Sequence, residues 1–139
     1  MYCTQSDIIT AITEEIVMQL TDDDNVGVIN DAHVTQAITT ADDEINGYCG
    51  VKYTVPFTTV PGMVKGLSIT IAVYYLYKRR TVPENIEKAY DKAIARLKDI
   101  ARGLVSLGVE PPPASSAGGA ESNKTVSDRI FTMDKMTGF

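Results

Sequence analysis

From Ile8 onward the chain sets apolar residues at helical intervals, with Ile8, Ile9, Ile12, Ile16 and Leu20 falling on one stripe. Just before them, Thr4-Gln5-Ser6-Asp7 has the form of a helix start. Thr4 supplies a capping hydroxyl, and Asp7 faces the positive end of the helix dipole. Thr13-Glu14-Glu15 is itself a start signal, so this segment predicts one broken helix or two short ones ending at Thr21. Residues 22–27 form an acidic loop. Asn30 or Asp31 then caps a helix whose Val34, Ile38, Ala41, Ile45 and Tyr48 recur at spacings of four, three, four and three. That spacing is one buried face, and Gly47 and Gly50 mark its end.

Residues 53–57 alternate and are rich in β-branched and aromatic side chains, but Pro56 would remove a ladder donor and no second strand is present to pair with them. They predict an extended, proline-containing crossover. Pro61 suits the first turn of the next helix. Met63, Val64, Leu67, Ile71, Tyr74, Leu76 and Tyr77 make that helix apolar around most of its girth as far as Arg80, which predicts the central helix of a bundle. Pro83 opens a last helix with an inner stripe of Ile86, Tyr90, Ile94, Leu97 and Ala101, a Glu84 to Lys88 pair across one turn, and Gly103 as its stop.

The texture then changes. Residues 108–127 include Pro111-Pro112-Pro113, Ser115-Ser116 and Gly118-Gly119, which cannot bury a core and predict a flexible linker. Residues 128–139 follow as a short tail carrying Arg129, Ile130, Phe131, Met133 and Phe139. Apolar side chains tethered to solvent gain little there, so the tail is expected to dock on a partner. The expectation is an all-α fold: a small bundle of four to five helices over residues 1–107, with the crossover inside it and a flexible C-terminal tail.

With 139 residues the chain is enough for one domain, able to bury roughly two thirds of its unfolded surface. A net charge of -5 and a pI near 4.8 argue against a protein that wraps nucleic acid. They fit one that lies beside it, because an acidic wall repels phosphate and lets a duplex slide past. Cys3 and Cys49 are too few for a disulfide framework, nothing before Cys3 has the form of a signal peptide, and both are expected to be reduced thiols in cytosol. The most apolar run, residues 67–77, is 11 residues long between Lys65 and Lys78, short of the roughly 20 that span a membrane.

No catalytic constellation emerges. Asp22, Asp24, Gly27 and Ile29 fall at the first, third, sixth and eighth places of a calcium-binding loop, but Val26 stands at the fifth and His33 at the twelfth. Neither can ligate as the pattern requires, so the segment is expected to be a solvated acidic loop without metal. His33 is the sole histidine, which leaves no His-based triad and no base for a cysteine nucleophile other than itself. Lys78-Arg79-Arg80, the one basic cluster, suits the negative end of a helix dipole and is also open to contact with phosphate or an acidic partner. Tyr74, Tyr75 and Tyr77 lie in the most apolar helix and are expected in the core or at a subunit interface rather than stacked on bases. Without a phosphate loop, paired cysteine motif or serine elbow, the chain is expected to be no enzyme and to need no cofactor.

The order of these pieces resembles the Mu-type phage small head-tail connector proteins. The resemblance runs through Met1-Tyr2 and its capped helix, Gln19-Leu20-Thr21-Asp22, Glu44-Ile45-Asn46-Gly47-Tyr48, residues 53–61, Tyr74-Tyr75-Leu76-Tyr77, residues 101–108, and the closing residues 131–139. It implies a helical, non-enzymatic virion protein, assembled in the host cytoplasm, that forms a homo-oligomeric ring in the virion neck. Its partners would be the portal protein on one side and a stopper or tail completion protein on the other, with DNA passing through the channel without sequence-specific binding and no membrane involved. The docking role towards the portal falls on Arg129, Ile130, Phe131, Met133 and Phe139.

A closed ring of one polypeptide joins two different patches of each subunit. Lys78, Arg79 and Arg80 on one side, and Asp22, Asp23 and Asp24 on the other, are the expected complementary charges. Three other readings stay open: a head-closure stopper, expected to have a β-rich body, a small nucleic-acid-binding regulatory module, and, last, an enzyme using Cys49 or Cys3.

Overall fold

The computed structural model describes residues 1–109, and five helices account for most of them. Residues 108 and 109 aside, the expected linker and the tail with Arg129, Ile130, Phe131, Met133 and Phe139 lie outside the described residues.

The N-terminal segment is two short helices, α1 (Gln5–Ile12) and α2 (Glu14–Thr21). Thr4 and Asp7 close the expected capping box: the Asp7 amide donates to the Thr4 hydroxyl, and the Thr4 amide donates to the Asp7 carboxylate at 2.9 Å. The break falls at Thr13, whose φ of 74° and ψ of 152° are incompatible with a continuous helix. Beyond α2 the fully buried Thr21 hydroxyl donates to the Val17 carbonyl at 2.8 Å and accepts from the Asn30 amide at 3.2 Å. The bond from Asn30 ties the two ends of the acidic loop together. Asn30 then caps α3 (Asp31–Cys49) by accepting from the Ala32 amide.

α4 (Gly62–Lys78) packs against each of the other four helices, as its apolar girth predicted, and α5 (Glu84–Arg102) closes the bundle against α3 and α4. Ile8, Val17, Ile45, Ile71, Leu76, Leu97 and Ile100 meet in one core, all with essentially no exposure. The stripe of α5 is turned by one residue from the expected one. Ala93 and Ile100 are its buried members beside Leu97, while Ile94 and Ala101 are half-buried at the seam. Gly103 ends α5 in the left-handed conformation at φ 79°.

The crossover over residues 50–61 is a series of turns and bends, with neither helix nor strand. The amides of Lys52 and Tyr53 both return to the Cys49 carbonyl, at 3.0 and 2.9 Å, which curls the chain as it leaves α3. Phe57 then folds back on Tyr2 and Tyr53, with ring centroids 5.7 and 6.1 Å apart, and its amide donates to the Tyr2 hydroxyl. The Tyr53 hydroxyl in turn accepts from the Leu107 amide at 3.3 Å. The alternation seen in the sequence therefore places aromatics against the bundle end. Among the described residues no helix is long and apolar enough to cross a membrane.

Candidate functional site

Three polar constellations sit on this scaffold, each joining elements far apart in the chain. The first is a charged clamp at the C-terminal end of α4. Arg79 donates to the Leu20 carbonyl at 2.7 Å and to Asp23 at 2.5 Å, and Arg80 reaches the other oxygen of Asp23 at 3.0 Å. His33, at the start of α3, lies 3.2 Å from Asp23 and 3.1 Å from Arg79. The hydrogen bond from Arg79 holds the Asp23 carboxyl below its usual range. The basic cluster and the acidic loop, expected to pair between subunits, are thus joined at Asp23 within one subunit. Lys78, Asp22 and Asp24 complete that expected set, and none of them makes an ion pair among the described residues. Lys78 instead stands 5.7 Å from the centre of the Tyr75 ring.

Asp22 serves the loop backbone. Its carboxylate accepts from the amides of Val26 and Gly27 at 3.0 and 2.8 Å, and Gly27 has the positive φ of 77° that a tight loop requires. The first carboxylate of the calcium-like pattern is thereby engaged with the loop's own backbone, and the described residues hold no group of three or more ligating side chains placed around a metal.

The second constellation is a tyrosine cluster around Glu44 of α3. Tyr75 of α4 and Tyr90 of α5 donate to its two oxygens at 3.0 and 2.9 Å. Tyr74 stacks on Tyr90 with centroids 3.9 Å apart and planes inclined by 14°. Burial and the hydrogen bond to Glu44 push the Tyr90 hydroxyl well above the ordinary tyrosine value. A phenol so raised stays protonated at neutral pH and donates, so that Glu44 ties α3 to α4 and α5. These tyrosines are half-buried between helices, so the expectation of packing holds for them.

The third is a buried node at Asp42. One carboxylate oxygen accepts from Ser68 of α4 at 2.9 Å, the other from the Tyr2 amide at 3.0 Å, and Cys3 Sγ lies 3.2 Å from Ser68 Oγ. Cys3 and Cys49 are both buried as free thiols. Burial raises both, Cys49 to about 11, which keeps them as unreactive thiols near neutral pH.

Glu44 and Asp42 escaped the sequence reading. Each is one acid within an amphipathic helix, and its partners are 26 to 46 residues away. A groove between α4 and α5, lined by Met63, Gly66, Leu67 and Ala89 with Lys92 and Arg96, was also unforeseen. The only sequence signal for it is the glycine in the body of α4.

Residues 2–124 match the family model described as Bacteriophage Mu, Gp36. The chain is 28% identical over 109 residues to the Mu-like prophage FluMu protein gp36 of Haemophilus influenzae strain Rd, covering 78% of this chain and 77% of that protein. It is 29% identical over 113 residues to gene product J of Escherichia phage Mu, covering 81% and 79% respectively. With nearly its whole length matched, this chain belongs to the bacteriophage Mu Gp36 family.

Proposed function

We propose that this protein is a head-tail connector of adaptor type, a subunit of a ring in the virion neck between the portal and the tail-side proteins. The observation that carries the reading is its membership of a Mu phage family on an all-α body whose reactive groups are buried or engaged internally. The thiols are sealed in the core, the tyrosines are held by Glu44, and Asp23 is clamped by two arginines. What the chain offers to the outside is shape and charge. A helical body favours an adaptor over a stopper, and a net charge of -5 suits the wall of a channel through which DNA passes rather than a module that binds it. The tail residues Arg129, Ile130, Phe131, Met133 and Phe139 are the proposed contact with the portal.

Immunogold labelling of intact particles and of tailless heads tests the position. Label confined to the vertex where head meets tail supports the reading. Label along the tail tube or over the capsid surface, or its absence from particles, overturns it.

A further inference from the structure

The loop between α2 and α3 exposes apolar surface and charge together. The Val26 and Gly27 amides donate to Asp22 and so shape it, and Val26 and Val28 emerge 67% and 59% exposed. Asp24 and Asp31 flank them, both exposed and neither in an ion pair among the described residues. Two bare valines between two free carboxylates are complementary to a surface that is apolar at its centre and cationic at its edge.

The α4–α5 groove has that character. Met63, Leu67 and Ala89 line it, and the exposed Lys92 and Arg96 carry cations that make no ion pair among the described residues. Gly66 lies there within α4, where glycine costs about 1 kcal/mol relative to alanine. A Cβ at Gly66 would meet nothing within 4 Å, so the subunit's own packing does not ask for glycine. Glycine on an open helix face lets another surface approach closely.

A subunit does not fill its own groove. Arg79 anchors the loop at one end of α4, and Gly66 lies about 20 Å away along that helix at a rise of about 1.5 Å per residue. Resting on the ring reading above, we propose that the loop bearing Val26 and Val28 docks in the α4–α5 groove of the next copy, with Asp24 and Asp31 set against Lys92 and Arg96. The two surfaces differ, so the contact is heterologous and leaves one free loop and one free groove at the ends of any open chain of subunits, as ring closure requires.

The test uses the full chain, alone and with the portal protein, followed by light scattering. Val28→Glu spoils the loop, and Gly66→Glu fills the groove with a repelling charge. Both are expected to stop assembly. Gly66→Glu should melt no lower than the parent, because it replaces glycine by a helix former in open space, and this separates lost docking from lost folding. A mixture of the two variants retains one good loop and one good groove, and should form a 1:1 dimer and nothing larger. Assembly of either variant like the parent, or a mixture that stays monomeric, overturns the inference while leaving the ring standing. A parent chain that stays monomeric even with the portal overturns the ring reading and this inference with it.

Discussion

Ser68 of α4 donates to Asp42 of α3 across 2.9 Å, with 0% and 8% exposure respectively, and the same carboxylate takes the Tyr2 amide on its other oxygen. One acid therefore joins the N-terminus to the two helices with the largest mutual interface. Removing it strands a hydroxyl and an amide inside the protein, at about 1–3 kcal/mol for each group left unpaired. Asp42→Ala is expected to lower the unfolding free energy by about 3 kcal/mol in urea titration, and Ser68→Ala by about 1 kcal/mol.

The stability of the bundle should depend on pH mainly at the alkaline side. Burial raises Cys3, Cys49, Tyr2, Tyr75 and Tyr90 above their ordinary values, Cys49 from 9.0 to about 11. A raised folded pKa means that the folded chain keeps its proton where the unfolded chain has lost it. The associated stability is complete below about pH 9 and falls as the pH rises towards 11 and beyond. Asp7 and Asp23 act oppositely: both are depressed from 3.8, so their contribution is present above that value and lost as the pH falls below it. Denaturation followed by circular dichroism should give a plateau across neutral pH and a decline setting in near pH 9. Cys49→Ala should flatten the segment between 9 and 11.

The two arginines of the clamp are unequal. The Arg79 side chain is 28% exposed and bonds both the Leu20 carbonyl and Asp23, whereas the Arg80 side chain is 49% exposed and bonds Asp23 alone. A charged donor on a backbone carbonyl contributes about 2 kcal/mol, while an exposed ion pair contributes little and is screened by salt. Thermal melts of Arg79→Ala should show a loss of that size that persists at high salt. Arg80→Ala should differ little from the parent.

Two backbone positions should respond to glycine with opposite signs. Thr13 holds φ 74° and ψ 152°, where a side chain with a branched Cβ is strained, and makes no capping bond with its side chain. Thr13→Gly is expected to stabilise by about 1 kcal/mol, relief of strain exceeding the added freedom of the unfolded chain. Gly103 caps α5 at φ 79°, and a Cβ there would fall 2.5 Å from Lys52 Nζ. Gly103→Ala should destabilise by about 1 kcal/mol or more, measured in the same melts.

The helices were legible because each is marked by local chemistry. The Thr4 capping box, the Thr13 break, Asn30, Pro61, Pro83 and Gly103 all lie at or next to the boundaries that the structure shows. The stripe of α5 was misplaced by one residue because Ile94 is larger and more apolar than Ala93, yet it is Ala93 that lies with Leu97 and Ile100 on the α5 face packed against α3 and α4. The crossover looked extended because alternation reports side-chain chemistry and not the turn at Cys49 that closes it. The clamp was visible as two charge clusters, but residues 56 positions apart carry no local sign that Arg79 will meet Asp23 in the same chain. Glu44 and Asp42 were hidden for the same reason, since an acid on a helix is ordinarily solvated and only the third dimension supplies its tyrosines or its serine.

If this chain is a subunit of a neck ring that meets the portal, its mass in solution must change with assembly. Light scattering on the purified protein, alone and mixed with its portal protein, is expected to give a defined ring or a stoichiometric complex, lost when residues 128–139 are deleted. A monomer at all concentrations that ignores the portal would contradict it.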